Sequence, residues 1–173
     1  MKPSILIAGV GNIFLGDDAF GVETAHALTL RQLPDGVKVV DYGIRGFDLA
    51  YALLDSWDAV ILVDALPRGG SPGTLYMLEP DLSAMKDSQS AGIEMNPHGM
   101  DPLHVLQLAF SMGEVNAKVY VVGCEPEDFG DELEGRMGLS ATVQASIEQA
   151  VAMVEDLVGR ILAGAAMCPA QAV

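Results

Sequence analysis

The chain has 173 residues, half of them hydrophobic, and a net charge of −15 from 9 basic and 24 acidic side chains. That length supports one domain around a single core, burying roughly 70% of the unfolded surface without a disulfide or metal staple, while the charge repels nucleic acid and anionic lipid and favours cations or a basic partner segment. Cys124 and Cys168 lie far apart and belong to no Cys-x-x-Cys pair, which argues against a zinc ribbon and a disulfide scaffold and fits a reducing compartment.

Strand and helix signals alternate almost from end to end. Ser4 to Ala8 reads as a buried strand, and Val22, Ala25 and Leu28 then recur at helical spacing until Pro34-Asp35-Gly36. Val37 to Tyr42 reads as a second strand and Phe47 to Leu54 as a second helix. Ala59 to Val63 is apolar at every position, as a strand covered by helices on both faces requires. Thr74 to Leu78 follows a Gly/Pro-rich turn and is expected at a sheet edge. Asp101-Pro102 opens a helix with Asp at the N-cap and Pro at N1, and that helix should run to about Met112. Ala117 to Gly123 is another strand. In the last helix Val143, Ile147, Val151, Val154, Val158 and Ile161 are spaced 4, 4, 3, 4, 3.

This alternation predicts an α/β three-layer sandwich, a mostly parallel twisted sheet with helices on both faces. One domain over residues 1–162 and a loosely ordered Ala-rich tail over 163–173 are expected. Lys2 before a four-residue apolar run is too little for a signal peptide. Ala59 to Val63 is far short of the roughly 20 residues that cross a bilayer. The expected location is cytoplasmic. Two loops, Glu79 to Met100 and Glu125 to Gly138, are longer than connection alone needs, as functional loops often are.

Ligands of an open α/β sheet bind beyond the carboxyl ends of its strands. By that criterion the candidates are Asp17 and Asp18 after strand one, Asp41 ending strand two, Asp64 directly after the apolar third strand, and His98 ahead of the helix at Pro102. The turn Gly9-Val10-Gly11 would suit a phosphate. Two adjacent carboxylates instead repel phosphate and attract a cation. Carboxylates sharing a crevice raise one another's pKa unless a cation neutralises them. A neutral imidazole beside two of them makes a mixed O/N site suited to Zn²⁺ or Ni²⁺, with a position left for water or substrate. Plainer roles exist for each residue. Asp17 could cap the first helix with Asp18 in its first turn, Asp64 could cap its strand, and His98 could be a solvated loop histidine. His26 and His104 fall within helices; His104 also lies close enough to His98 to serve as a substitute or supporting ligand.

Residues Gly9 to Val22, Gly-Val-Gly-Asn-Ile-Phe-Leu-Gly-Asp-Asp-Ala-Phe-Gly-Val, resemble the N-terminal signature of the nickel–iron hydrogenase maturation endopeptidases. Val63-Asp64-Ala65, Pro97-His98 and Gly123-Cys124-Glu125-Pro126 follow in the order and approximate spacing of that family. The resemblance runs from about Ile5 to Val158. It implies an endopeptidase that removes a C-terminal extension from the hydrogenase large-subunit precursor after nickel insertion. It also implies Asp18, Asp64 and His98 as catalytic, metal-binding residues, with the nickel carried by the substrate. Asp18 stands where the family often has Glu, one methylene longer, and Ala19 where glycine is common. Asp41-Tyr42-Gly43-Ile44-Arg45-Gly46 resembles a family segment, with Ile44 in place of a threonine.

Under this reading an open ligand set senses nickel held by the precursor's cysteines, and Asp17 or Asp41 orients the attacking water. The rival reading is a non-enzymatic nickel- or dinucleotide-binding protein on the same fold. Phe14 at the third glycine position of a dinucleotide fingerprint speaks against the latter, and Asp41 as a ribose ligand speaks for it. Expected partners are the large-subunit precursor and its assembly chaperones, and neither nucleic acid nor membrane. The six acids between Glu125 and Gly135 could dock a basic patch on such a partner or simply form a solvated loop.

Overall fold

The computed structural model describes residues 3–87, 101–131 and 133–165. Five strands form one sheet in the order β2-β1-β3-β5-β4, where β1 is Ile5–Val10, β2 Val37–Gly43, β3 Ala59–Ala65, β4 Leu75–Leu78 and β5 Lys118–Cys124. The β1–β2, β1–β3 and β3–β5 pairs are parallel, and β4 pairs antiparallel with β5 at the sheet edge. The helices are α1 (Phe20–Thr29), α2 (Gly46–Ala52), α3 (Leu82–Asp87), α4 (Pro102–Met112) and α5 (Ala141–Leu162). A 3₁₀ turn over Gly16–Ala19 leads into α1.

Side chains alternate across the sheet with a period of two, so each strand feeds both layers. Ile5, Ile7, Ala59, Ile61 and Val63 pack with Phe20 and Leu28 of α1 and with Val143, Val151, Val154 and Leu157 of α5. Leu6, Ala8, Val60 and Leu62 face the other way, onto Leu49 and Leu53 near α2 and Val105, Leu106 and Ala109 of α4. Every residue of β1 and β3 is buried, which explains their unbroken apolar runs. Each fully buried Leu or Ile contributes roughly 1.5–3 kcal/mol from area removed from water. The sequence expectation of a three-layer α/β sandwich is met, including the edge position of Leu75–Leu78. Asp101 caps α4 by accepting from the Leu103 and His104 N–H groups, both at 2.9 Å. The extended region after Glu79 includes α3, which apolar periodicity did not reveal. Helix α5 closes at Ala163 and Gly164; the expected tail beyond residue 165 lies outside the described residues.

After β1 the chain moves to β2 on one side, then crosses to β3 on the other. The carboxyl ends of β1 and β3 therefore flank the point where strand order reverses, which is where a crevice opens in such sheets. Glycine sets how closely α1 approaches that point. A Cβ on Gly21 would lie 2.0 Å from the Val63 carbonyl oxygen and 2.2 Å from that of Val10, both immovable backbone. Gly11, at φ 135°, would place one 1.8 Å from the Asp18 carbonyl oxygen. In an ordinary helix Gly→Ala gains close to 1 kcal/mol. Gly21→Ala should reverse that sign and cost at least about 3 kcal/mol, the scale of a severe overpacking change. Urea unfolding checks this, and a stabilised Gly21→Ala protein would contradict the packing described.

Candidate active site

Asp17 and Asp18 are neighbours in the 3₁₀ turn, yet they face different surroundings. Asp17 is fully buried and turns into the loop between β5 and α5. Its Oδ2 accepts from the backbone N–H of Glu127 (2.8 Å) and of Asp128 (3.0 Å) and from the Ser140 hydroxyl (2.9 Å). Its Oδ1 accepts from the Ser140 N–H at 2.6 Å. Burial pushes its pKa up, but these donors outweigh burial and hold it below the usual carboxylate range. Asp17 caps no helix, and both of its oxygens accept hydrogen bonds from the loop.

Asp18 is half-buried, and its Oδ2 accepts from the Asn12 N–H at 2.7 Å. Burial raises its pKa, and that one donor offsets the effect only in part. Asp64, the sixth residue of β3, is almost fully buried, and its Oδ1 has no hydrogen-bond partner. Desolvation lifts its pKa well above the ordinary 3.8, and the nearby charges of Asp18 and Asp101 lift it further. The fold thus gathers acidic groups from three elements: the β1–α1 turn, the end of β3 and the cap of α4. A buried, unpartnered carboxylate oxygen beside further acids is costly unless a cation completes it. This donor set fits a divalent ion held by oxygen ligands.

The other expected residues fall as follows. Asp41 does not end its strand but lies two residues before the end of β2, opposite Gly9, and its Oδ2 lies 3.1 Å from His26 Nε2, so His26 is its surface partner. Arg45 reaches back to the Asp41 and Tyr42 carbonyls and lies over the Tyr42 ring. His104 Nδ1 is 2.7 Å from Asp101 Oδ2. His98 lies outside the described residues, and among the described residues no three metal-binding side chains form a complete cluster. Glu125 is not part of an exposed acidic loop. It is buried, and accepts from the Arg68 and Gly69 N–H groups and from the Tyr76 hydroxyl at 2.7 Å. Tyr76, two residues into an edge strand, gave no sequence signal for that bond. Cys124 is buried at 3.3 Å from the Ser146 hydroxyl, and burial pushes its thiol pKa up, the reverse of an activated nucleophile.

A family model described as hydrogenase maturation protease matches residues 22–157, well over half of the chain. The chain belongs to the hydrogenase maturation protease family. It is 35% identical over 153 residues to the hydrogenase 2 maturation protease of Escherichia coli K12, covering 87% of each chain. The hydrogenase maturating endopeptidase HybD of Escherichia coli has the same architecture, with a TM-score of 0.70 and 30% identity over 91% of this chain and 93% of that one. The HycI maturation protease of Thermococcus kodakarensis shares the fold at a TM-score of 0.65 and 24% identity, over 91% and 94% of the two chains. The protein is accordingly a peptidase of hydrogenase maturation, with the acidic crevice at the switch point of its sheet. No helix among the described residues is long and apolar enough to cross a membrane.

Two stability predictions test the geometry. Asp17→Ala leaves N–H groups of Glu127, Asp128 and Ser140 without an acceptor and should cost about 3 kcal/mol or more in urea unfolding. A loss under about 1 kcal/mol would deny the clamp. Asp64 has a raised folded pKa, so the native state binds more protons than the unfolded state above pH 3.8, and stability falls as pH rises towards the folded pKa. Asp64→Asn removes that slope. Its stability relative to wild type should improve as pH rises above about 4; parallel curves would refute a buried carboxylate with a raised pKa.

Proposed function

We propose that the protease removes a C-terminal extension from the large-subunit precursor of a nickel–iron hydrogenase after nickel insertion, and that Asp18, Asp64 and His98 read the substrate's nickel directly. The observation carrying this reading is the unpartnered, buried Oδ1 of Asp64 beside Asp18 at the switch point. Asp101, whose charge is felt at Asp64, is three residues from His98.

In the proposed mechanism the two carboxylates repel each other until a precursor brings its cation. Binding energy is therefore available only to a nickel-loaded substrate, and the unloaded form is rejected without a separate proofreading step. A divalent ion polarises a carbonyl or lowers the pKa of water from 15.7 towards ~7. Asp18 is held through Asn12, so one of its oxygens is anchored before substrate arrives. Asp41, anchored by His26 and with Oδ1 on the Gly43 side, is the acid we assign to orienting the attacking water. Release of the extension would then free the precursor's new C-terminus. Assembly chaperones that hold the precursor are the second partner class. The acidic charge and the buried free Cys124 support a cytoplasmic site of action.

Purified protein incubated with nickel-loaded and nickel-free precursor should cut only the former, as read by mass spectrometry. Equal rates on both would refute nickel sensing. Asp18→Asn, Asp64→Asn and His98→Ala should each lower processing at least about tenfold, the lower end of what losing even a supporting group of a metal site costs, and full activity in any of them removes that residue from the set.

A further inference from the structure

The loop that Asp17 clamps has a second face. Leu133 is 96% exposed, Met137 71% and Phe129 36%, and Phe14 of the β1–α1 turn is 56% exposed. Single apolar residues at a surface need no explanation, but a group on one unit does. These four do belong to one unit. Arg136 donates its N–H to the Phe14 carbonyl at 2.7 Å and accepts from the Gly16 N–H at 2.8 Å, so the two segments pair at Leu15 and Arg136. Asp17 N–H donates to the Asp128 carbonyl at 3.0 Å, and the Gly16 α-carbon packs against Asp128 and Phe129 backbone. Leu133 sits in a turn closed by Gly135 N–H to the Asp131 carbonyl and by its own N–H to Asp131 Oδ1. The backbone is thus fixed on its inner side while large apolar groups point to water.

Exposed acids surround them. Glu127, Asp131 and Glu134 lie in the same loop, and Arg136 is occupied by Asp128 at 2.5 Å. A second copy of this chain, itself at −15, would bring acid against acid, and an anionic membrane is repelled for the same reason. The complementary partner is a folded protein surface with apolar side chains ringed by lysine or arginine.

We infer that Phe14, Phe129, Leu133 and Met137 form a docking platform for the folded body of the protein substrate, separate from the crevice that meets the scissile segment. The inference rests on the proposed processing of a large-subunit precursor, and names how that macromolecule is gripped. Asp17 and Asp18 are consecutive, so the platform is tied to the crevice through one peptide bond: Asp17 fixes the platform and Asp18 faces the nickel. Docking there aligns the precursor's C-terminal segment before the carboxylates engage, and the two contacts add as linked sites do.

The test uses full-length protein and the nickel-loaded precursor of a hydrogenase large subunit. Binding is measured by titration calorimetry at two salt concentrations, and cleavage by mass spectrometry. The double variant Leu133→Asp, Met137→Asp should bind about tenfold more weakly, the effect of losing an apolar anchor, and should raise KM with kcat nearly unchanged at an unaltered melting temperature. Wild-type affinity should fall as salt rises. Unchanged affinity in the variant, or salt-insensitive wild-type binding, would overturn the platform. A wild-type dimer in sedimentation that the variant dissolves would also overturn it, assigning the patch to self-association. Wild type that binds precursor through the platform yet cuts nothing would sink the proposed proteolysis while leaving docking intact.

Discussion

A helix can rest its backbone on the end of a sheet only where the contacting residue lacks a Cβ, and the active crevice depends on one such contact. Gly21 sits against the Val10 and Val63 carbonyls, and Gly11 against that of Asp18. Because α1 begins so close to the ends of β1 and β3, the turn preceding it cannot swing away. Asp18 is thereby delivered close enough to Asp64 for its charge to raise the Asp64 pKa. The cost of that proximity is electrostatic, and it is what gives the crevice a use for a cation.

Asp17 and Asp18 show how a single peptide bond separates structural from chemical duty. Four donors surround Asp17, and its carboxyl is held in the ionised form. One donor reaches Asp18, and none reaches Asp64 Oδ1. Hydrogen bonds satisfy a charge where rigidity is needed and are withheld where a ligand is to bind. The loop beyond β5 then belongs to the site twice over, by anchoring the turn and by presenting apolar groups at its outer face.

Family membership and the geometry carry different parts of the account. Membership makes the chain a maturation peptidase. In the reading we propose, selection of a nickel-loaded substrate would rest on the unneutralised acids, which bind poorly to anything that does not bring positive charge. Among the described residues Cys124 offers no activated nucleophile, since that thiol is buried against Ser146 and burial pushes its pKa up.

The order of strands and helices was legible in the residues alone, because Ile5 to Ala8 and Ala59 to Val63 are too apolar to be exposed, Asp101-Pro102 is a helix start, and α5 repeats at helical spacing. The sequence also marked Asp18 and Asp64 as strand-end acids. It did not separate Asp17 from Asp18, since adjacent identical residues carry the same local signal and differ only in what the distant loop at Glu127 to Ser140 brings to them. Nor did it show Glu125 leaving the acidic run for a buried pocket, because the donors at Arg68, Gly69 and Tyr76 are more than 45 residues away in the chain. Periodicity and capping are local and survive in one dimension. Which acid is paired, orphaned or exposed is fixed only when parallel pairing aligns the ends of β1, β3 and β5, and that alignment exists only in the folded chain.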